Sequence, residues 1–107
     1  MALTINDTNF EELVMKADKP VMLDFGATWC GPCKRLAPIM ETLSQKYCDQ
    51  VIFYKVDTEK ERELAYVFQI NSIPQVLYIP LEGQPLLLKG LYPQENIEEI
   101  INTHLCK

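Results

Sequence analysis

Trp29-Cys30-Gly31-Pro32-Cys33 places two thiols three residues apart at the start of a predicted helix, directly after an apolar run. Side chains at that spacing share a helical face, about 5–6 Å apart at Cβ. That separation suits a disulfide, so the pair can close and open with little backbone movement. Such a pair is a two-electron redox switch. Cys30, at the helix start, meets unpaired backbone N–H groups and the positive end of the macrodipole, which favour a thiolate. Cys33, one turn in and facing the core, is the natural resolving thiol. Half of a zinc site is the alternative, but zinc needs two further ligands. Only Cys48, Cys106 and His104 remain, in no ligand-like spacing.

Two more residues belong to this chemistry. Asp24 is the only charged residue between Val21 and Ala27. A carboxylate buried there is costly, so its pKa should rise. It would then act as a proton carrier for Cys33, through a water. A solvated strand-end Asp or a structural hydrogen-bonder fits the same pattern, and the residues alone leave both open. Ile73-Pro74 joins the turn-like Asn71-Ser72 to a new strand. Its peptide bond can be cis or trans, and an ordinary trans proline opening an edge strand is the simpler reading.

The elements that must hold these groups alternate. Leu3-Thr4-Ile5 is a short strand, and Asp7 or Thr8 is placed to N-cap a helix carrying Phe10, Leu13, Val14 and Ala17 inward. Val21 to Ala27 predicts a strand buried on both faces. A long helix from about Cys30 to Tyr47 follows, with Pro38 expected to kink it or interrupt its hydrogen bonding. Val51 to Val56 is a strand, and Glu59 to Phe68 a helix with its charged start, Glu59 to Glu63, in solvent. Gln75 to Ile79 and Leu86 to Lys89 flank a hairpin turn at 81–84, and Pro80 and Pro85 should limit both to partial pairing. Pro93 to Leu105 is the last helix, with His104 half-buried on its Ile97 stripe. The order β-α-β-α-β-α-β-β-α predicts an α/β fold with a central mixed sheet and helices on both faces.

Composition sets the limits. The 107 residues, 48% hydrophobic, predict one domain over 1–107 with a single packed core. Net charge is −5 and the only basic pair is Lys34-Arg35, which argues against nucleic acid or an anionic membrane as partner. No apolar run is long enough to span a bilayer, and Met1 to Phe10 lacks a leader pattern. Four cysteines, two of them isolated, do not form a disulfide framework. The expected compartment is therefore the reducing cytoplasm. Cys48 and Cys106 are expected to be passive thiols.

These residues resemble a known family. Val21-Met22-Leu23-Asp24-Phe25, Ala27-Thr28-Trp29-Cys30-Gly31-Pro32-Cys33-Lys34 and Pro38 are similar to the active-site region of thioredoxins, and Ser72-Ile73-Pro74 and Gly90 fall at the cis-proline turn and a substrate-groove glycine of that family. The resemblance spans nearly the whole chain. It implies the thioredoxin fold, about five strands flanked by four helices, and a general protein disulfide reductase of cell redox homeostasis. By it, Cys30 is the nucleophile and Cys33 the resolving cysteine. Asp24 matches the family's buried acid, with Lys55 near it. Trp29, Gly31 and Pro32 flank the exposed sulfur, Pro74 is cis against the pair, and the Ile73 backbone and Gly90 line the client groove. Gly31-Pro32 resembles reducing members. The implied protein needs no bound cofactor or metal, works as a monomer on disulfide-containing clients, and takes electrons from an NADPH-dependent thioredoxin reductase. An oxidising relative outside the cytosol and a redox-silent binding module are the rival readings. Three departures stand out: Gly26 where many bacterial members carry a bulky aromatic, Gln75 after Pro74 where threonine is common, and a longer turn over Ile79 to Gly83. Gly26 is expected to add backbone freedom and thin the cover of the site.

Overall fold

The computed structural model describes residues 3–106. Met1 and Ala2, which belong to the leader reading, and Lys107 lie outside the described residues. Five strands, β1 (Leu3–Thr4), β2 (Val21–Gly26), β3 (Ile52–Asp57), β4 (Gln75–Ile79) and β5 (Leu86–Lys89), form one sheet in the order β1-β3-β2-β4-β5. β1 and β2 run parallel to β3, while β4 is antiparallel to β2 and β5. The sheet is mixed, as expected.

β2 lies at the centre, so its apolar residues are covered on both faces. Alternation along the strand assigns them. Met22 packs with Leu36, Met40 and Leu43 of α1 (Gly31–Lys46) and with Ile97 of α3 (Gln94–Ile100). Val21, Leu23 and Phe25 pack on the other face, with Val14 of a π-helical segment (Glu11–Met15) and Leu64 of α2 (Arg62–Val67). Each fully buried side chain of this kind stabilises the fold by about 1.5–3 kcal/mol. Asp24 shares the parity of Met22 and therefore faces the α1 side. That parity, set by core packing, delivers the carboxyl to the cysteine pair.

The local readings needed four corrections. Asp7 and Thr8 do not cap the first helical segment. Asn6 Oδ1 does that work, accepting from the N–H groups of Thr8 at 3.0 Å and Asn9 at 2.9 Å. Asp7 reaches across the fold to accept the Leu64 N–H at 3.0 Å, while its own N–H donates to Glu61. It caps α2, a long-range contact invisible to local spacing. The first segment has i→i+5 hydrogen bonding, and so does Ile101–Leu105, which continues α3. Pro80 and Pro85 do not restrict β4, because both fall outside it. β4 is an interior strand paired on both sides.

Pro38 sits inside α1 without ending it; its carbonyl accepts the Thr42 hydroxyl at 3.0 Å. The far end of α1 is tied to the C-terminal helix by the Lys46–Glu98 ion pair and by the Tyr47 hydroxyl, which donates to Glu98 at 2.8 Å. His104 is half-buried and meets the Gln84 carbonyl at 3.0 Å, fastening the β4–β5 turn. That turn carries Gly83 at φ +102°, where other side chains are strained.

Candidate active site

The carboxyl end of β2, the start of α1 and the loop before β4 converge on the cysteines. Cys30 is the N-cap of α1, with extended backbone angles, and Gly31-Pro32 open the first turn. Pro is tolerated there because its missing N–H has no helical partner anyway. Cys30 and Cys33 are joined by a disulfide with a Cα–Cα separation of 5.2 Å. The Cys33 N–H donates to Cys30 Sγ at 3.2 Å. A helix-terminal donor aimed at sulfur stabilises charge there, so Cys30 is the better thiolate of the two.

Exposure is distributed differently from the expectation. Cys30, expected to present an exposed sulfur, is 4% exposed, whereas Cys33, expected to face the core, is only half-buried. The N-cap geometry turns the Cys30 sulfur in over the first turn. Trp29 beside it is 66% exposed, and its indole N–H donates to Glu59 Oε1 at 2.7 Å. Glu59 is itself exposed, so the charged start of this segment stays in solvent while one of its carboxyls reaches the indole. Thirty residues separate the pair, so no local signal points to it.

Asp24 is 6% exposed, and burial raises its pKa to about 6 against the partial opposition of Lys55. Lys55 is its register partner across the parallel β2–β3 pair, so both side chains leave the same face. The two also border, with Gly26 and Cys33, an open cavity of about 280 Å³. The solvated-Asp alternative does not hold, and among the described residues no hydrogen bond from a protein group accounts for the carboxyl. Gly26 has a specific steric role. A Cβ there would lie 3.2 Å from Cys33 Sγ, so glycine permits close approach more than it supplies backbone freedom.

The Ile73–Pro74 bond is cis, and Pro74 is buried. Its carbonyl accepts the Gly90 N–H at 2.9 Å, and Gly90 has φ +101°, which favours glycine. Gln75 is fully buried. Its amide donates to the Ser72 carbonyl at 2.8 Å and to Ser72 Oγ at 3.1 Å, bracing the loop around Ile73. Sequence reasoning marked Gln75 as unusual but missed this brace. Among the described residues, no group of three or more His, Cys, Asp or Glu is placed to hold a metal, and no helix is long and apolar enough to cross a membrane.

A disulfide at a helix N-terminus, backed by a buried carboxyl and a cis-proline loop, is the geometry the sequence resemblance implied. The thioredoxin family model matches residues 1–103. This chain belongs to the thioredoxin family. It is 43% identical over 93 residues to a thioredoxin of Borreliella burgdorferi, covering 87% of this chain and 80% of that one. To a thioredoxin of Haemophilus influenzae it is 36% identical over 104 residues, 96% of each. A crystal structure of chloroplastic thioredoxin z is similar with a TM-score of 0.89 and 28% identity, over 95% of this chain and 92% of that one. The chain is a thioredoxin-fold dithiol–disulfide oxidoreductase, with disulfide-containing proteins as clients and a reductase as partner.

Proposed function

We propose that this thioredoxin-family protein is a monomeric cytoplasmic reductase of protein disulfides that draws electrons from an NADPH-dependent thioredoxin reductase. Cys30 thiolate attacks one sulfur of a client disulfide, forming a mixed disulfide and releasing one client thiolate. Cys33 thiolate then attacks Cys30 Sγ, expels the second client thiolate and closes the 30–33 ring. The client gains two electrons, which the reductase restores. Asp24 takes the proton of Cys33 through water as that thiol becomes nucleophilic, and Lys55 limits how far burial lifts the Asp24 pKa. Trp29, Gly31, Pro32, the Ile73 backbone, Pro74 and Gly90 receive the client.

The observation that carries this reading is the Cys33 N–H on Cys30 Sγ, with Asp24 at a pKa of about 6 on the same side of the sheet. The reducing direction is supported by Gly31-Pro32 between the cysteines, which resembles reducing family members. The test is insulin reduction with and without NADPH and thioredoxin reductase, followed by client capture with Cys33→Ser. Trapped mixed disulfides on Cys30 are expected. A reduction potential well above the cytosolic glutathione poise would transfer the protein to the oxidising reading and out of the cytoplasm.

A further inference from the structure

The loop before β4 holds a backbone pair that the fold leaves open. Among the described residues, neither the N–H nor the C=O of Ile73 has a hydrogen-bond partner within the protein. Both flanking carbonyls are tied within the fold. The Pro74 carbonyl accepts the Gly90 N–H at 2.9 Å, and the Ser72 carbonyl accepts the Gln75 side-chain amide at 2.8 Å. One donor and one acceptor on a single residue are what an extended chain exchanges in antiparallel pairing. Gln75 is an unusual anchor for such a loop. Its backbone is held by the sheet on both sides, opposite Phe25 of β2 and Lys89 of β5. Its side chain is fully buried, on the face where Phe25 and Leu77 pack. From there the amide reaches the exposed Ser72 and donates to its carbonyl and its hydroxyl oxygen. A carbonyl only accepts, so the nitrogen must face Ser72 and Gln75 Oε1 must face away. That oxygen is buried with no partner. An orphaned acceptor costs stability, which an apolar side chain of the same length would avoid. The amide thus steadies the loop while weakening the core around it.

We propose that Gln75 is a positioning residue that sets the preference of this protein for extended polypeptide clients over small disulfides. By holding Ser72 it keeps the Ile73 N–H and C=O aligned before a client strand arrives, so less ordering remains to be done on binding. A small disulfide without a peptide group, such as bis(2-hydroxyethyl) disulfide, cannot pair with Ile73 and gains nothing from the alignment. Gln75 takes no part in thiol–disulfide exchange itself. The inference rests on the reading of the Ile73 backbone as part of the client surface.

Gln75→Met keeps the side-chain length and removes both the donor and the orphaned acceptor. Its urea unfolding midpoint should equal or exceed that of wild type, because water can replace the amide at the exposed Ser72. In insulin reduction its KM should rise about tenfold, with kcat changed by less than about twofold. The ratio of kcat/KM for insulin over bis(2-hydroxyethyl) disulfide should fall by a similar factor. A second measurement follows the pair directly. In Cys33→Ser protein holding a peptide on Cys30 as a mixed disulfide, hydrogen exchange of the Ile73 N–H should slow by about tenfold or more. Adding Gln75→Met should remove most of that protection. No protection with Gln75 in place would overturn the client-surface reading and this inference with it. Protection that survives Gln75→Met, or an insulin KM within about twofold of wild type, would overturn the role of Gln75 alone. A lower unfolding midpoint with a fall in kcat would make the residue merely structural and overturn the proposal as well.

Discussion

The two halves of β2 share one strand and nearly the same burial, yet only the second carries residues that work against packing. Val21, Met22 and Leu23 fill the core against α1, α3, α2 and the π-helical segment. Asp24 and Gly26, on either side of the core residue Phe25, bury a carboxyl and leave a hollow. The first half contributes stability. In the second, Asp24 and Gly26 give stability up in return for a titratable group and open space beside a sulfur. Burial therefore does not report how much a position stabilises the fold; the chemistry of the buried group does.

Four experiments sharpen or break that contrast, the largest effect first. Cys30→Ser should lower insulin reduction by on the order of a thousandfold or more while the fold unfolds cooperatively as before. Residual turnover above a few per cent of wild type would mean that Cys30 is not the attacking thiol. Leu23→Ala, in the packed half, should cost about 3–5 kcal/mol in urea unfolding. A loss under 1 kcal/mol would break the division between the halves.

Asp24→Asn should act in the opposite direction. A pKa of about 6 in the fold against 3.8 unfolded means that the folded state holds the proton more tightly. The stability that protonated Asp24 allows is complete below pH 3.8 and is lost as pH rises through about 6. Asn, which never ionises, should thus match wild type's low-pH stability below about pH 3 and be more stable by up to about 3 kcal/mol near pH 8. Disulfide exchange by Asp24→Asn should also slow. Rates equal to wild type across pH 6–9 would remove Asp24 from proton transfer.

The smallest effect is expected at the rim. Glu59→Ala frees the Trp29 indole N–H, changing stability by about 0.5 kcal/mol or less. Trp29, the only tryptophan, should then show lower fluorescence anisotropy. Unchanged anisotropy would show that Glu59 does not hold the ring.

How much of this was legible in the sequence depended on distance along the chain. The order of elements and the stripe of α1 were readable because helix and strand periodicities are local. The cysteine spacing was readable for the same reason. What failed was non-local. Asp7 caps a helix 57 residues away, and Glu59 holds an indole 30 residues away. β4 was expected to be partly paired because two prolines stood near it, yet its neighbours in the sheet lie on distant segments. Gln75 stood out by type, but only the fold shows its amide bracing Ser72.

The sequence by itself determined the closable thiol pair, its place at a helix start, and the parity that puts Asp24 on one face of β2, because each follows from spacing of a few residues. Tertiary structure decided the rest. Packing around β2 removed water from Asp24 and raised its pKa, the N-cap turned Cys30 inward, and the absent side chain at Gly26 became a cavity only once α1 and β3 enclosed it. Burial and enclosure arise from segments remote in sequence, so no local pattern encodes which of two cysteines three residues apart is the more buried.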